Sequence, residues 1–188
     1  MTRRVAFVVF EDLTALDLVG VYTALTRLDA TGHADLEWEV VAYREPVRAA
    51  AGLSIVPDRV GEPLDADVVV VPGGPGTRAL VGDDGFLSWL RGAESATWVG
   101  SACTGSLLLG AAGFLEGRVA TTHPDAVASL EALCESVTDD RVVADNSIVT
   151  ARGVTASIDL GLWFCEALAG DAGVTAVRSQ LDYPYGPV

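Results

Sequence analysis

The run Val99-Gly100-Ser101-Ala102-Cys103-Thr104-Gly105-Ser106 sets a cysteine where a strand-like segment gives way to a helix of small and apolar residues. A sulfur on such a turn is held in a strained, exposed position above the sheet. It also lies beside the first free amides of the helix, whose partial positive charge favours thiolate. Thiolate is the nucleophilic form, so the chemistry in prospect is covalent attack on a small electrophile. Ala102 and Gly105 permit a tight turn and close approach of a substrate. The competing reading is a buried structural cysteine, because cysteine is among the most buried residue types. The turn favours a reactive thiol at Cys103, whereas Cys134 and Cys165, on apolar helix faces, suit the structural role.

Asp17, between Leu16 and Leu18, occupies a poor place for a solvated charge. Partly buried near a thiolate, its carboxyl would have a raised pKa, hold a proton at neutral pH and titrate with the sulfur as a pair. On the residues alone, an acid favoured by the helix dipole in a first turn is the stronger reading. Thr104 offers a hydroxyl that orients water, or serves as a helix-start residue satisfying its own backbone. Only two histidines are present. His123 either lines a pocket or braces the loop before Pro124, and His33, between Gly32 and Ala34, reads as a surface loop residue.

The elements that must carry these groups alternate between strand and helix. Arg4–Phe10, Glu37–Tyr43, Asp67–Val71 and Thr97–Ala102 read as strands, and the pieces around Gly52 as a small hairpin. Helices are expected over 15–28, capped by Thr14, and over 86–93, 105–112 and 125–134. Residues 141–144 and 147–150 form a hairpin, and helices over 155–169 and 172–180 close the chain. Strands separated by helices predict one α/β domain over 1–188, with a mostly parallel sheet covered on both faces. Right-handed crossovers then bring loops 72–76 and 102–105 to one sheet edge, where ligands bind in such folds.

Composition narrows the chemistry. The 188 residues include twelve cations, all arginine, which excludes Schiff-base catalysis and a phosphate-loop lysine. A net charge of −14 repels nucleic acid and anionic membranes. The first apolar run, Val5–Phe10, is too short for a signal peptide or a membrane span. Three widely spaced cysteines without a CxxC pair imply neither a disulfide framework nor a metal site, and fit a reducing cytoplasm.

Several further motifs fall in order along the chain: Leu16-Asp17-Leu18, Pro72-Gly73-Gly74, Leu109-Gly110-Ala111-Ala112-Gly113, Ala120-Thr121-Thr122-His123, Gly153-Val154-Thr155-Ala156-Ser157-Ile158-Asp159 and Gln180-Leu181-Asp182-Tyr183. Together with the Cys103 elbow, the set resembles the ThiJ/PfpI superfamily (class I glutamine amidotransferase-like), in its isonitrile hydratase-like branch. The resemblance implies a flavodoxin-like three-layer sandwich, a homodimer, and no cofactor. It makes Cys103 the nucleophile and Asp17 the acid. The implied reaction hydrates a small-molecule isonitrile to an N-substituted formamide through a Cys103 thioimidate. The amides of Gly74 and Thr104 would polarise the intermediate, with Gly73 and Gly74 forming the substrate loop.

Departures from the superfamily pattern separate the rivals. Peptidase-like and many glyoxalase-like members carry a histidine after the cysteine, and this chain has Thr104, so a neighbouring Cys–His dyad is unavailable. His123-Pro124-Asp125 is too close to Cys103 to act as the amidotransferase His-Pro-Glu. Pro124 stands where an aromatic is usual. Arg152 replaces a residue without a side chain; facing the site, it would narrow the pocket or attract an anionic substrate, and facing solvent it would do neither. No basic recognition helix supports DNA binding. A glyoxalase-like enzyme and a redox or stress sensor with an oxidisable thiol are the alternatives.

Overall fold

The computed structural model describes residues 1–184. Along the chain these form β1 (Arg3–Val9), α1 (Ala15–Ala30), β2 (Leu36–Ala42), β3 (Arg59–Val60), β4 (Val68–Val71), α2 (Thr77–Leu80) and α3 (Asp84–Leu90). After them come β5 (Trp98–Ala102), α4 (Gly105–Ala111), β6 (Val119–Ala120), α5 (Val127–Leu130), β7 (Ser136–Val137), β8 (Val142–Asp145), β9 (Ile148–Ala151) and α6 (Ala156–Leu181).

Seven strands make one sheet in the order β3-β2-β1-β4-β5-β9-β8, parallel throughout except where β8 meets β9. The inner strands are continuous apolar runs: Val68–Val71 is buried at every position, as a strand covered on both faces requires. Helices α1 and α6 pack together on one face, while α4 lies against β4, β5, α2 and α5. This is the flavodoxin-like three-layer arrangement expected. The chain leaves β1 for β2 in one direction and returns to β4 on the other side of β1. The crevice at the carboxyl ends of β1 and β4 is therefore a topological switch point.

Most elements fall within two residues of their expected bounds. Helix 125–134 is a correction: it shrinks to a 3-10 turn at Pro124–Ala126 followed by α5, which ends at Leu130. Helices 155–169 and 172–180 are one run in α6, broken by Gly170 at φ 67° and ψ −170°. By length and composition α6 is long and apolar enough to cross a membrane, and its apolar residues Leu160, Phe164, Cys165 and Val177 are buried in the core.

A buried cysteine elbow at the switch point

Cys103 follows β5 directly and adopts φ 55°, a left-handed conformation unusual for a residue with a Cβ. Four hydrogen bonds fix it there. Its amide donates to the carbonyls of Ala151 (2.9 Å) and Arg152 (2.8 Å), and its own carbonyl accepts from Thr122 Oγ1 and Ser106 Oγ (3.1 Å each). The strain, about 1–2 kcal/mol, is thus carried by surrounding structure. The elbow expected from the strand-to-helix junction is present.

Asp17 sits in the first turn of α1, fully buried. Its Oδ2 accepts from the Gly73 amide at 3.1 Å, and its Oδ1 has no hydrogen-bond partner among the described residues. Ser157 of α6 lies against this turn, its hydroxyl shared between the Leu16 carbonyl at 3.0 Å and the Val154 carbonyl at 2.8 Å. Gly73 fits because it lacks a side chain: a Cβ there would lie 2.5 Å from the Thr104 nitrogen and 2.9 Å from Asp17 Oδ2. Gly74 takes φ 130°, and a Cβ on it would meet the Asp12 carbonyl oxygen at 2.5 Å.

Desolvation dominates the electrostatics. Burial raises Asp17 to about 7, against the opposing pull of the Gly73 amide and the Cys103 thiol. Burial, reinforced by the Asp17 charge, pushes Cys103 up to about 12, although the Thr104 amide favours the thiolate. Burial and the neighbouring Asp17 charge thus oppose the thiolate that the helix start favours, and the two groups titrate as a pair. Cys103 is also more enclosed than expected, at 5% exposure.

Other expected roles change with the geometry. The Gly74 amide is not free to polarise a substrate, because it donates to Thr104 Oγ1 at 2.9 Å. The Thr104 hydroxyl is engaged in the same network, within 3.2 Å of Thr77 Oγ1 and 3.3 Å of the Gly74 carbonyl. It makes no capping bond to its own helix, which corrects that reading too. Arg152 turns its guanidinium to Asp139, pairing at 2.7 Å, so its contribution to the elbow is its backbone carbonyl. His123 accepts the Asp125 amide on Nδ1 at 3.2 Å, the loop-bracing role, and its ring lies beside Gly153.

Three residues escaped the sequence reading. Thr77, fully buried, donates to the Gly74 carbonyl at 2.8 Å, and Arg78 Nη1 reaches the same oxygen at 3.3 Å. Ser157 secures the helix bearing Asp17. For Ser157 a signal existed, since it stands within the Gly153–Asp159 motif. For Thr77 and Arg78 the nearest signal was their position just after Gly76.

The DJ-1/PfpI family pattern matches residues 3–167. An isonitrile hydratase of Pseudomonas putida is 38% identical over 190 aligned positions, which span 100% of this chain and 81% of the relative. Drosophila melanogaster DJ-1alpha is 33% identical over 149 positions, 76% of this chain and 69% of the relative. A crystal structure of a ThiJ/PfpI family protein from Pseudomonas syringae superposes with a TM-score of 0.90 at 33% identity, covering 100% of this chain and 77% of the other. The fold, the strained cysteine and these similarities agree, and the chain belongs to the DJ-1/PfpI family.

Proposed function

We propose that the protein hydrates isonitriles to N-substituted formamides, with Cys103 as nucleophile and Asp17 as its acid–base partner. The observation that carries this reading is the pairing of an almost enclosed thiol with a carboxyl raised to about 7. A cysteine with 5% exposure suits a slim, linear electrophile, and the isonitrile group is one.

In the first step Asp17 carboxylate takes the Cys103 proton as sulfur bonds to the terminal carbon. It then returns that proton to the same carbon, leaving a thioimidate, Cys103–S–CH=N–R. Water adds to this carbon with one proton passing to nitrogen, and the C–S bond then breaks as the new hydroxyl's proton returns to sulfur through Asp17. The formamide leaves and the thiol is restored. Splitting one hydration into two additions is the advantage of the covalent route. A carboxyl that titrates near the working pH accepts and donates with comparable ease. The Gly73 amide orients this carboxyl, and the Thr104 amide faces the sulfur.

Support for a homodimer comes from the surface next to Asp17. Leu16 and Val19 are 37% and 41% exposed, and with Ile158 and Leu181 they line an apolar groove of about 180 Å³. Light scattering on the protein and on Val19→Glu tests this: a mass twice 19.5 kDa that halves in the variant is expected.

The activity is tested with cyclohexyl isocyanide, following formamide release. Native protein turns over, Cys103→Ala does not, and Asp17→Asn falls at least about a hundredfold, the scale of losing a positioned acid–base group. A native protein inert towards several isonitriles but active on methylglyoxal would replace this reading with a glyoxalase. Reversible peroxide oxidation of Cys103 without any turnover would replace it with a sensor.

A further inference from the structure

Beyond the Cys103 site, the same sheet edge holds a separate cavity of about 400 Å³ at the ends of β1 and β2. Its walls include Phe10, Tyr43, Pro46, Leu80 and Phe86, and neither Cys103, Asp17 nor Thr104 is among them. We propose that this cavity binds a small organic monocation carrying an aromatic or aliphatic body, such as an aralkylammonium.

The volume lies within the range of small-molecule sites. The walls supply the apolar part of recognition. Phe10 and Tyr43 each meet Phe86 edge-on, with centroids 6.3 and 6.1 Å away, and Tyr43 is the half-buried ring of the three. The sign of the ligand follows from the polar lining: Glu11, Asp12 and Glu45 against a single cation, Arg44. Arg44 is already spent, since its guanidinium pairs with Asp83 and lies 5.3 Å from the Tyr43 centroid. Among the described residues, Asp12 and Glu45 take part in no ion pair. A net charge of −14 favours entry of cations and opposes anions.

Asp12 is also rigidly presented. It adopts φ 60°, its amide donates to the Arg48 carbonyl at 2.7 Å, and its carbonyl accepts from the Gly76 amide at 3.1 Å. Asp12 is thus an acid with a fixed backbone on the cavity wall.

The test is an NMR titration of the full chain with phenethylammonium, using 2-phenylethanol and phenylacetate as neutral and anionic controls. Saturable shifts are expected in the amides of residues 10–12, 43–46 and 76–80, weakening as salt is raised. The neutral and anionic controls should bind at least about tenfold more weakly, a difference of about 1.4 kcal/mol. Asp12→Asn, a residue tolerant of positive φ, combined with Glu45→Gln should lower affinity to a similar degree. Glu45→Gln alone, on an exposed side chain, should still weaken binding measurably with the fold undisturbed. Equal affinity for 2-phenylethanol, shifts confined to another region, or no saturable shift at all would overturn the proposal. The result is independent of whether Cys103 turns over isonitriles.

Discussion

Two sulfurs in this protein share a titration direction and little else. Cys103 and Cys165 are both buried, and burial pushes each thiol up to about 12. Cys165 lies inside α6, with its sulfur 3.5 Å from the Ala24 carbonyl and no charged group contributing to its shift. Cys103 stands on a strained turn and responds to a buried carboxyl as well as to burial. Burial therefore does not separate a thiol with a structural role from the proposed nucleophile. What differs is the presence of a partner able to take the proton, and a backbone held by four hydrogen bonds in a conformation it would not otherwise choose.

The sharpest way to break this contrast is to truncate each sulfur in turn. Cys103→Ala should lose formamide formation by at least about three orders of magnitude with little loss of stability, since it removes the proposed nucleophile. Cys165→Ala should leave turnover within about twofold of native while costing about 1–2 kcal/mol, because it opens a small void in the core. Parallel turnover and urea-denaturation measurements decide. Equal turnover in the two variants would erase the distinction.

A smaller effect should appear in stability against pH. Asp17 has a folded pKa raised from 3.8 to about 7, so between those values the folded state binds more protons than the unfolded chain. Stability must then fall as pH rises from about 4 to about 7, and the loss is complete above the folded value. Asp17→Asn, which cannot ionise, should match native protein at pH 4 and exceed it by up to a few kcal/mol at pH 8. Denaturant midpoints across that range check the sign. A variant less stable than native at pH 8 would show that the carboxylate is welcomed by the fold.

The smallest effect concerns strain. Cys103→Gly should relieve the cost of φ 55° but add unfolded-chain entropy, giving a net gain of about 1 kcal/mol or less. Thermal unfolding of Cys103→Gly beside Cys103→Ala isolates this term, because both lack the sulfur and only the glycine relaxes. A glycine variant less stable than the alanine variant would show that the turn is not strained.

The edge carrying the candidate site was legible in sequence because each of its parts has a local signature. Val68–Val71 ends in Pro72-Gly73-Gly74, and the Cys103 elbow joins an apolar strand to a helix of small residues. Elements held by distant contacts were not legible. β3, β6 and β7 contain two residues each and exist through their pairing partners, and α2 is a single turn packed beneath α4. Side-chain direction was hidden for the same reason. Arg152 turns towards Asp139, thirteen positions earlier in the chain, and the Gly74 amide is consumed by Thr104 from across the crevice. The enclosure of Cys103 was hidden too, because a helix start is visible in sequence, whereas the depth at which it is buried is not.

The close approach of α1 and α6 gives the site a remote vulnerability. A methyl group on Gly20 would lie 2.2 Å from Ser157 Oγ, the hydroxyl that tethers α1 through Leu16. Alanine, the mildest replacement, would force Ser157 or the two helices to shift, and with them the first turn of α1 that carries Asp17. A position nearly a full helical turn from Asp17 would thereby set the alignment of the proposed Asp17–Cys103 pair.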